Sequence, residues 1–179
     1  MPEDHSEQLD TGQDELRVIT AHHEAGHAVA AVMRGGSTLR SVTLSKRPGE
    51  GVTWMNAHVW DSGFQSYAGP WAEARHLWTE PTLAGIDEQG RSFDDLIAEV
   101  LFMQPSDALA VDDDDRAQRS LLQRSGLPAH KVESMMENRR KVWTLELEAV
   151  LPAIREVARM LLDGLPIDHT TVHGLVDDD

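Results

Sequence analysis

In the stretch Ala21-His22-His23-Glu24-Ala25-Gly26-His27, two histidines stand four positions apart and a glutamate directly follows the first of them. On an α-helix, positions i and i+4 lie one turn apart on the same face, so His23 and His27 can bring two imidazole nitrogens to one metal ion. Glu24 is rotated by about 100° from His23, at ~3.6 residues per turn. Its carboxylate is then beside the metal rather than on it, where it can take a proton from water. His22 points about a quarter-turn away and reads as a surface residue or one that supports a ligand. The competing reading is a pair of hydrogen-bonded core histidines on an ordinary amphipathic helix. Against it, the neighbours are small and apolar, and unpartnered imidazoles and a carboxylate are costly in such surroundings. Ala25 and Gly26 also keep the helix thin there, which lets another backbone or a substrate approach.

An open catalytic zinc site takes three protein ligands. Glu73 and His76, in "AEARH", are candidates for the third. So is the acidic run Asp112 to Asp115, where a helix start would favour negative charge. The ordinary reading of that run is a solvated helix N-terminus, although four adjacent carboxylates repel one another and a divalent cation would relieve at least one. Residue types alone do not choose among these.

The elements that must position these groups follow from periodicity and turn chemistry. "DELRVITAHHEAGHAVAAVMRGG" reads as one helix capped by Asp14 or Thr11 and ended by Gly35-Gly36. Its inward stripe is Leu16, Ile19, His23, His27 and Ala30. "SVTLS" and "GVTWMNAHV", joined by the turn former "KRPGE", predict a β-hairpin. A short helix is expected from about Trp71, ending before Pro81. Ser92 and Asp95 have capping-box spacing and open a helix that closes at Pro105. "DALAVDDDDRAQRSLLQRSG" is expected to be helical toward its end, with Gly126 as the stop. A long helical stretch from about Ala129 to Asp163 should kink or break at Pro152. Its core candidates are Val142, Leu145, Leu147, Val150, Leu151, Ile154, Val157 and Leu161. "LPIDHTTVHGLV" closes the fold with a short helix capped by Asp168. The fold class is α+β, mainly helical: an HExxH helix, a small antiparallel hairpin and a C-terminal helical part. Residues 1–13 read as a flexible acidic leader, 14–176 as a single domain and 177–179 as an acidic tail.

The chain has 179 residues and a formal net charge of −15, with no cysteine. That charge repels nucleic acid and anionic membrane surfaces, so neither is an expected partner. Disulfides and thiolate ligands are excluded, which fits a reducing compartment. No signal peptide is expected from the acidic N-terminus, and no apolar run approaches the ~20 residues of a membrane span. A cytoplasmic location follows as the expectation.

"TAHHEAGHAVAAVM" resembles the zinc motif of the peptidase domain of FtsH-type ATP-dependent metalloproteases, approximately T-A-x-H-E-A-G-H-A-V. In the same order, "LRSVTLSKRPGEGVTW" is similar to that family's hairpin, and "YAGPWAEAR" to its L-L-G-G-R-x-A-E-E helix through Gly69, Ala72 and Glu73. "LPIDHTTVHGLV" resembles the family's ending. The resemblance implies a zincin-like domain with Zn2+ held by His23, His27 and an aspartate that opens a later helix, in a pattern like G-A-x-x-D-L-x-x-A. Matching its alanine to Ala117 places the aspartate at Asp113, with Asp112 and Asp114 as neighbouring alternatives. Glu73 is then left a packing or supporting role.

The resemblance implies a zinc metallopeptidase in which Glu24 is the catalytic base. Family members carry an ATPase module and membrane spans ahead of the peptidase, and this sequence contains neither. The expectation is a standalone domain that cleaves flexible or unfolded polypeptides without ATP, unless a separate ATPase or unfoldase feeds it. An edge of the hairpin, around Gly51 to Asn56, could hold substrate as an added strand. The alternative is a catalytically silent adaptor or regulatory module that keeps the fold for protein binding. An intact Glu24 argues against that, because a purely structural site has no use for a general base.

Overall fold

The computed structural model describes residues 5–56 and 61–177, with side chains from residue 11 onward. Seven helices and one hairpin occur among them: α1 (His5–Met33), β1 (Thr38–Leu44), β2 (Gly51–Asn56), α2 (Ser62–Leu77), α3 (Phe93–Met103), α4 (Pro105–Arg124), α5 (Ala129–Ala149), α6 (Leu151–Leu162) and α7 (His169–Asp177). The mainly helical α+β class expected from the sequence is the class observed. No helix among the described residues is long and apolar enough to cross a membrane.

α1 is the axis of the molecule and packs against α2, α6, α7 and both strands. Its buried stripe is made of small residues, Ala21, Ala25, Ala28, Val29 and Val32, which let neighbours come close. A Cβ on Gly26 would lie 2.3 Å from the Ala68 carbonyl oxygen of α2, so only glycine admits that contact. Leu16, expected on the inward stripe, is 49% exposed. Among the described residues the helix already runs from His5, so Thr11 and Asp14 lie inside it rather than at its start.

β1 and β2 pair antiparallel, with Val42 opposite Thr53 and Leu44 opposite Gly51. The expected continuation of β2 over Ala57, His58 and Val59 lies outside the described residues. β2 alternates: Gly51, Thr53 and Met55 are half-buried, while Val52 and Trp54 face solvent.

α2 starts at Ser62, well before the expected Trp71, and runs through Pro70. Pro70 removes one backbone donor, and burial of Phe64, Tyr67, Ala68 and Trp71 outweighs that loss. α3 has the expected capping box: the Ser92 side chain accepts from the Asp95 backbone N–H, and the Asp95 side chain accepts from that of Ser92. A single residue, Gln104, separates α3 from α4, and Pro105 both ends the first and opens the second.

The break near Pro152 is real: α5 ends at Ala149 and α6 starts at Leu151. On α6 the expected core positions Leu151, Ile154, Val157 and Leu161 are buried. On α5, Leu147 is buried, but Val142 and Leu145 are 49% and 70% exposed. The buried stripe there is Val132, Met136, Trp143 and Leu147, one position out of phase with the expectation. α7 is capped as expected, with the Thr171 backbone N–H donating to Asp168 Oδ1 at 2.9 Å.

The acidic run falls in the middle of α4, not at a helix start. Asp114 and Asp115 face α5: Asp114 pairs with Arg139, and Asp115 pairs with Arg139 at 3.2 Å and with Arg140 at 2.7 Å. Arginines thus pair with three of the four carboxylates in that run, Arg116 holding Asp113. Arg139 also stacks on the Trp143 ring, and Arg140 approaches Tyr67 and Trp143. Asp114 is pressed against Gly63 of α2, where any Cβ would meet its carboxylate at 2.3 Å. This cluster sets how α4 sits on α2 and α5.

Candidate metal centre

His23 and His27 project from one face of α1 toward α2 and the first turn of α4. Their Nε2 atoms are 3.0 Å apart. Asp107, the third residue of α4, brings Oδ2 to 3.2 Å from His23 Nε2 and 3.5 Å from His27 Nε2. One ligand atom from each residue lies within 4.8 Å of the others, so these three groups could hold a metal ion.

The second nitrogen of each ring is occupied. His23 Nδ1 is 2.9 Å from Glu73 Oε2, and His27 Nδ1 is 2.7 Å from the Gln65 backbone carbonyl. A carbonyl or a carboxylate can only accept, so both rings carry their proton on Nδ1. Two Nε2 atoms and a carboxylate oxygen then face one another, a place that one positive charge satisfies, either a proton on His23 Nε2 or a metal ion. Carboxylate and carbonyl partners of this kind fix the tautomer and orientation of metal-binding histidines. A Cβ on Gly69 would lie 2.4 Å from His27 Nε2 and 2.9 Å from His23 Nε2, so α2 carries glycine where the nitrogens converge.

The electrostatics agree with a site built for positive charge. Burial works against a charged imidazole at His23, but the hydrogen bonds and charges of Asp107 and Glu73 outweigh it and hold its pKa up at about 9. Burial raises the Asp107 carboxyl, yet its hydrogen bonds with His23 and His27 hold it well below the usual carboxylate range. A divalent cation held there would compete with the His23 proton for the same place.

Glu24 is 7% exposed and lies beside this group in the same cleft. Thr53 of β2 donates from Oγ1 to Glu24 Oε2 at 2.6 Å. The backbone of Gly51 passes so close that a Cβ there would be 2.5 Å from Glu24 Cγ. The hairpin therefore pins the carboxylate from one side while α1 carries it from the other.

Asp113 is not at the site. Its carboxylate is 70% exposed on α4 and pairs with Arg116 at 3.3 Å. Six residues separate it from Asp107, about 9 Å along a helix at ~1.5 Å per residue. Asp112 is likewise exposed, and Asp114 is held by Arg139. The place near the start of a later helix belongs to Asp107, whose signal was Pro105 as a first helical residue. Glu73 has a supporting position behind His23, with Gln104 Nε2 donating to it at 3.4 Å. His76 stacks on His22, ring centroids 3.9 Å apart, and neither belongs to the metal group. Burial holds both of those imidazoles below their ordinary pKa, with Arg155 pushing the same way. Thr53 and Gln65 carried no sequence signal, because each reaches the motif only through tertiary contact.

No family model matches the chain, and no curated protein or solved structure is significantly similar to it.

Proposed function

We propose that the chain is a zinc-dependent peptidase acting on flexible or unfolded polypeptides, with His23, His27 and Asp107 as the metal-holding residues and Glu24 as the base. This keeps the reaction class that the FtsH-type resemblance implies and replaces its Asp113 by Asp107. The observation that carries it is the convergence of two Nε2 atoms and a carboxylate oxygen on one point beside a pinned glutamate in an open cleft. A pair of merely structural histidines needs neither the third acceptor nor a carboxylate held ready next to it.

A zinc ion held there would supply Lewis acidity toward a scissile carbonyl and lower the pKa of water. Glu24 accepts a proton from the attacking water and returns it to the leaving amine. Thr53 orients the Glu24 carboxylate by its hydrogen bond, and Glu73 and the Gln65 carbonyl hold the two imidazoles in the tautomer that presents Nε2. The free sides of the cleft, between β2 and the α3–α4 junction, leave room for an extended chain.

The test is hydrolysis of an unfolded protein by wild type and by Glu24→Gln, both loaded with zinc. Turnover by wild type alone supports the reading. Equal turnover by both removes Glu24 as the base, and zinc binding without turnover by wild type favours the silent adaptor.

A further inference from the structure

The cleft around the metal group has a volume of about 740 Å³, and its wall has a one-sided charge. Four carboxylates line it, Glu24, Glu50, Glu73 and Asp107, and among the described residues no lysine or arginine does. The undescribed positions 1–4, 57–60 and 178–179 also contain no lysine or arginine. Of the cations close by, Arg47 pairs with Glu50 at the mouth at 3.8 Å, both side chains being more than half exposed, and Arg17 donates to the Ser45 carbonyl at 3.4 Å. With Arg47 counted against Glu50, one dication would still leave the wall net negative.

The rim has a second character. Leu16 of α1, Val52 of β2 and Met103 of α3 line the cleft while being 49%, 47% and 71% exposed. Trp54, two positions from Val52 on β2, and Phe102, next to Met103 on α3, are also exposed, at 67% and 83%. Apolar side chains left in water at the mouth of a polar cleft mark a place where a ligand's apolar groups are buried.

Resting on the peptidase reading, we infer that the cleft takes an internal peptide bond with an apolar side chain against the Leu16–Val52–Met103 rim and a cationic side chain toward Glu50. Its wall holds no lysine or arginine among the described residues to pair with a terminal carboxylate. An acidic side chain entering the cleft meets a wall in which carboxylates outnumber the one guanidinium at its mouth, Arg47, whose pairing with Glu50 is solvent-exposed. The enzyme therefore selects against acidic segments, and Glu50, at the mouth, is its charge-selecting residue.

The experiment uses end-capped, internally quenched peptides that differ only in one residue near a central leucine: lysine, alanine or glutamate. The zinc-loaded wild type should cleave the lysine peptide at least about fivefold faster in kcat/KM than the glutamate peptide, the effect of about one charge at contact range in water. Raising salt from low ionic strength to well above 0.1 M, where the Debye length is about 10 Å, should shrink that ratio. Glu50→Gln should shrink it too, and Leu16→Ala with Met103→Ala should lower the preference for leucine over alanine at the centre. Equal rates for the lysine and glutamate peptides, or a requirement for a free terminus, would overturn the inference while leaving the peptidase reading intact. Cleavage of none of the peptides, when unfolded protein is also left intact, overturns both.

Discussion

Replacing Gly69 by alanine should separate the metal site from the fold. Gly69 lies inside α2 in helical conformation, so alanine is not strained there and adds up to ~1 kcal/mol of helix propensity. Its methyl carbon, however, would stand 2.4 Å from His27 Nε2 and 2.9 Å from His23 Nε2. Ordinary contact is closer to ~3.5 Å, so an imidazole must move by about 1 Å or break its bond to the Gln65 carbonyl or to Glu73. Overpacking of that kind costs about 1–3 kcal/mol, which a domain with ~5–15 kcal/mol of stability survives. A ligand displaced by ~1 Å no longer shares one ion, and zinc affinity should fall by at least about 100-fold. Gly26→Ala provides the contrast, because its Cβ meets a backbone carbonyl of α2 that cannot swing aside. That variant should lose stability first. The assay is a chelator-competition titration for zinc alongside urea unfolding of the metal-free forms. Wild-type zinc affinity in folded Gly69→Ala would refute the reasoning, since the ion would not lie where the two Nε2 atoms point.

Thr53→Val should keep zinc stoichiometry and lower kcat by about tenfold, because it frees the Glu24 carboxylate without touching a ligand; kinetics at saturating substrate check it. Arg139→Ala leaves Asp114, with its side chain 7% exposed, facing no guanidinium, and unfolding by urea should show a loss of about 3–5 kcal/mol. For pH, the folded pKa of His23 stands above its unfolded value, at about 9 in the metal-free protein. Its contribution to stability is therefore complete below about pH 6.5 and is lost as pH rises through about 9. Urea midpoints of the metal-free protein should fall over that window. Zinc affinity should rise over the same window as the competing proton leaves, and a flat profile in both would count against a charged His23.

The parts of this fold that were legible in the sequence are those with local causes. The i, i+4 spacing of His23 and His27 is a property of one helix, the Ser92–Asp95 box of one turn, and the break before Pro152 of one ring. Asp107 was missed because Pro105 reads equally as the end of α3 and the start of α4, and a one-residue junction gives no loop to announce the second helix. The buried face of α5 was misjudged because Arg139 and Arg140 sit on it, stacked on Trp143, so the inward stripe does not read as apolar. Thr53, Gln65 and Gly69 reach the site from two other elements. Their roles arise only when β2 and α2 close on α1, which no pattern along the chain records.

The most direct test of the metal centre is the zinc content of untagged protein after equilibration with zinc and removal of excess, measured by elemental analysis. Wild type and Asp113→Asn should each retain one zinc per chain, whereas Asp107→Asn, His23→Ala and His27→Ala should retain well under one, all remaining folded by circular dichroism. A wild type without zinc, or full retention by Asp107→Asn together with loss in Asp113→Asn, would contradict the account.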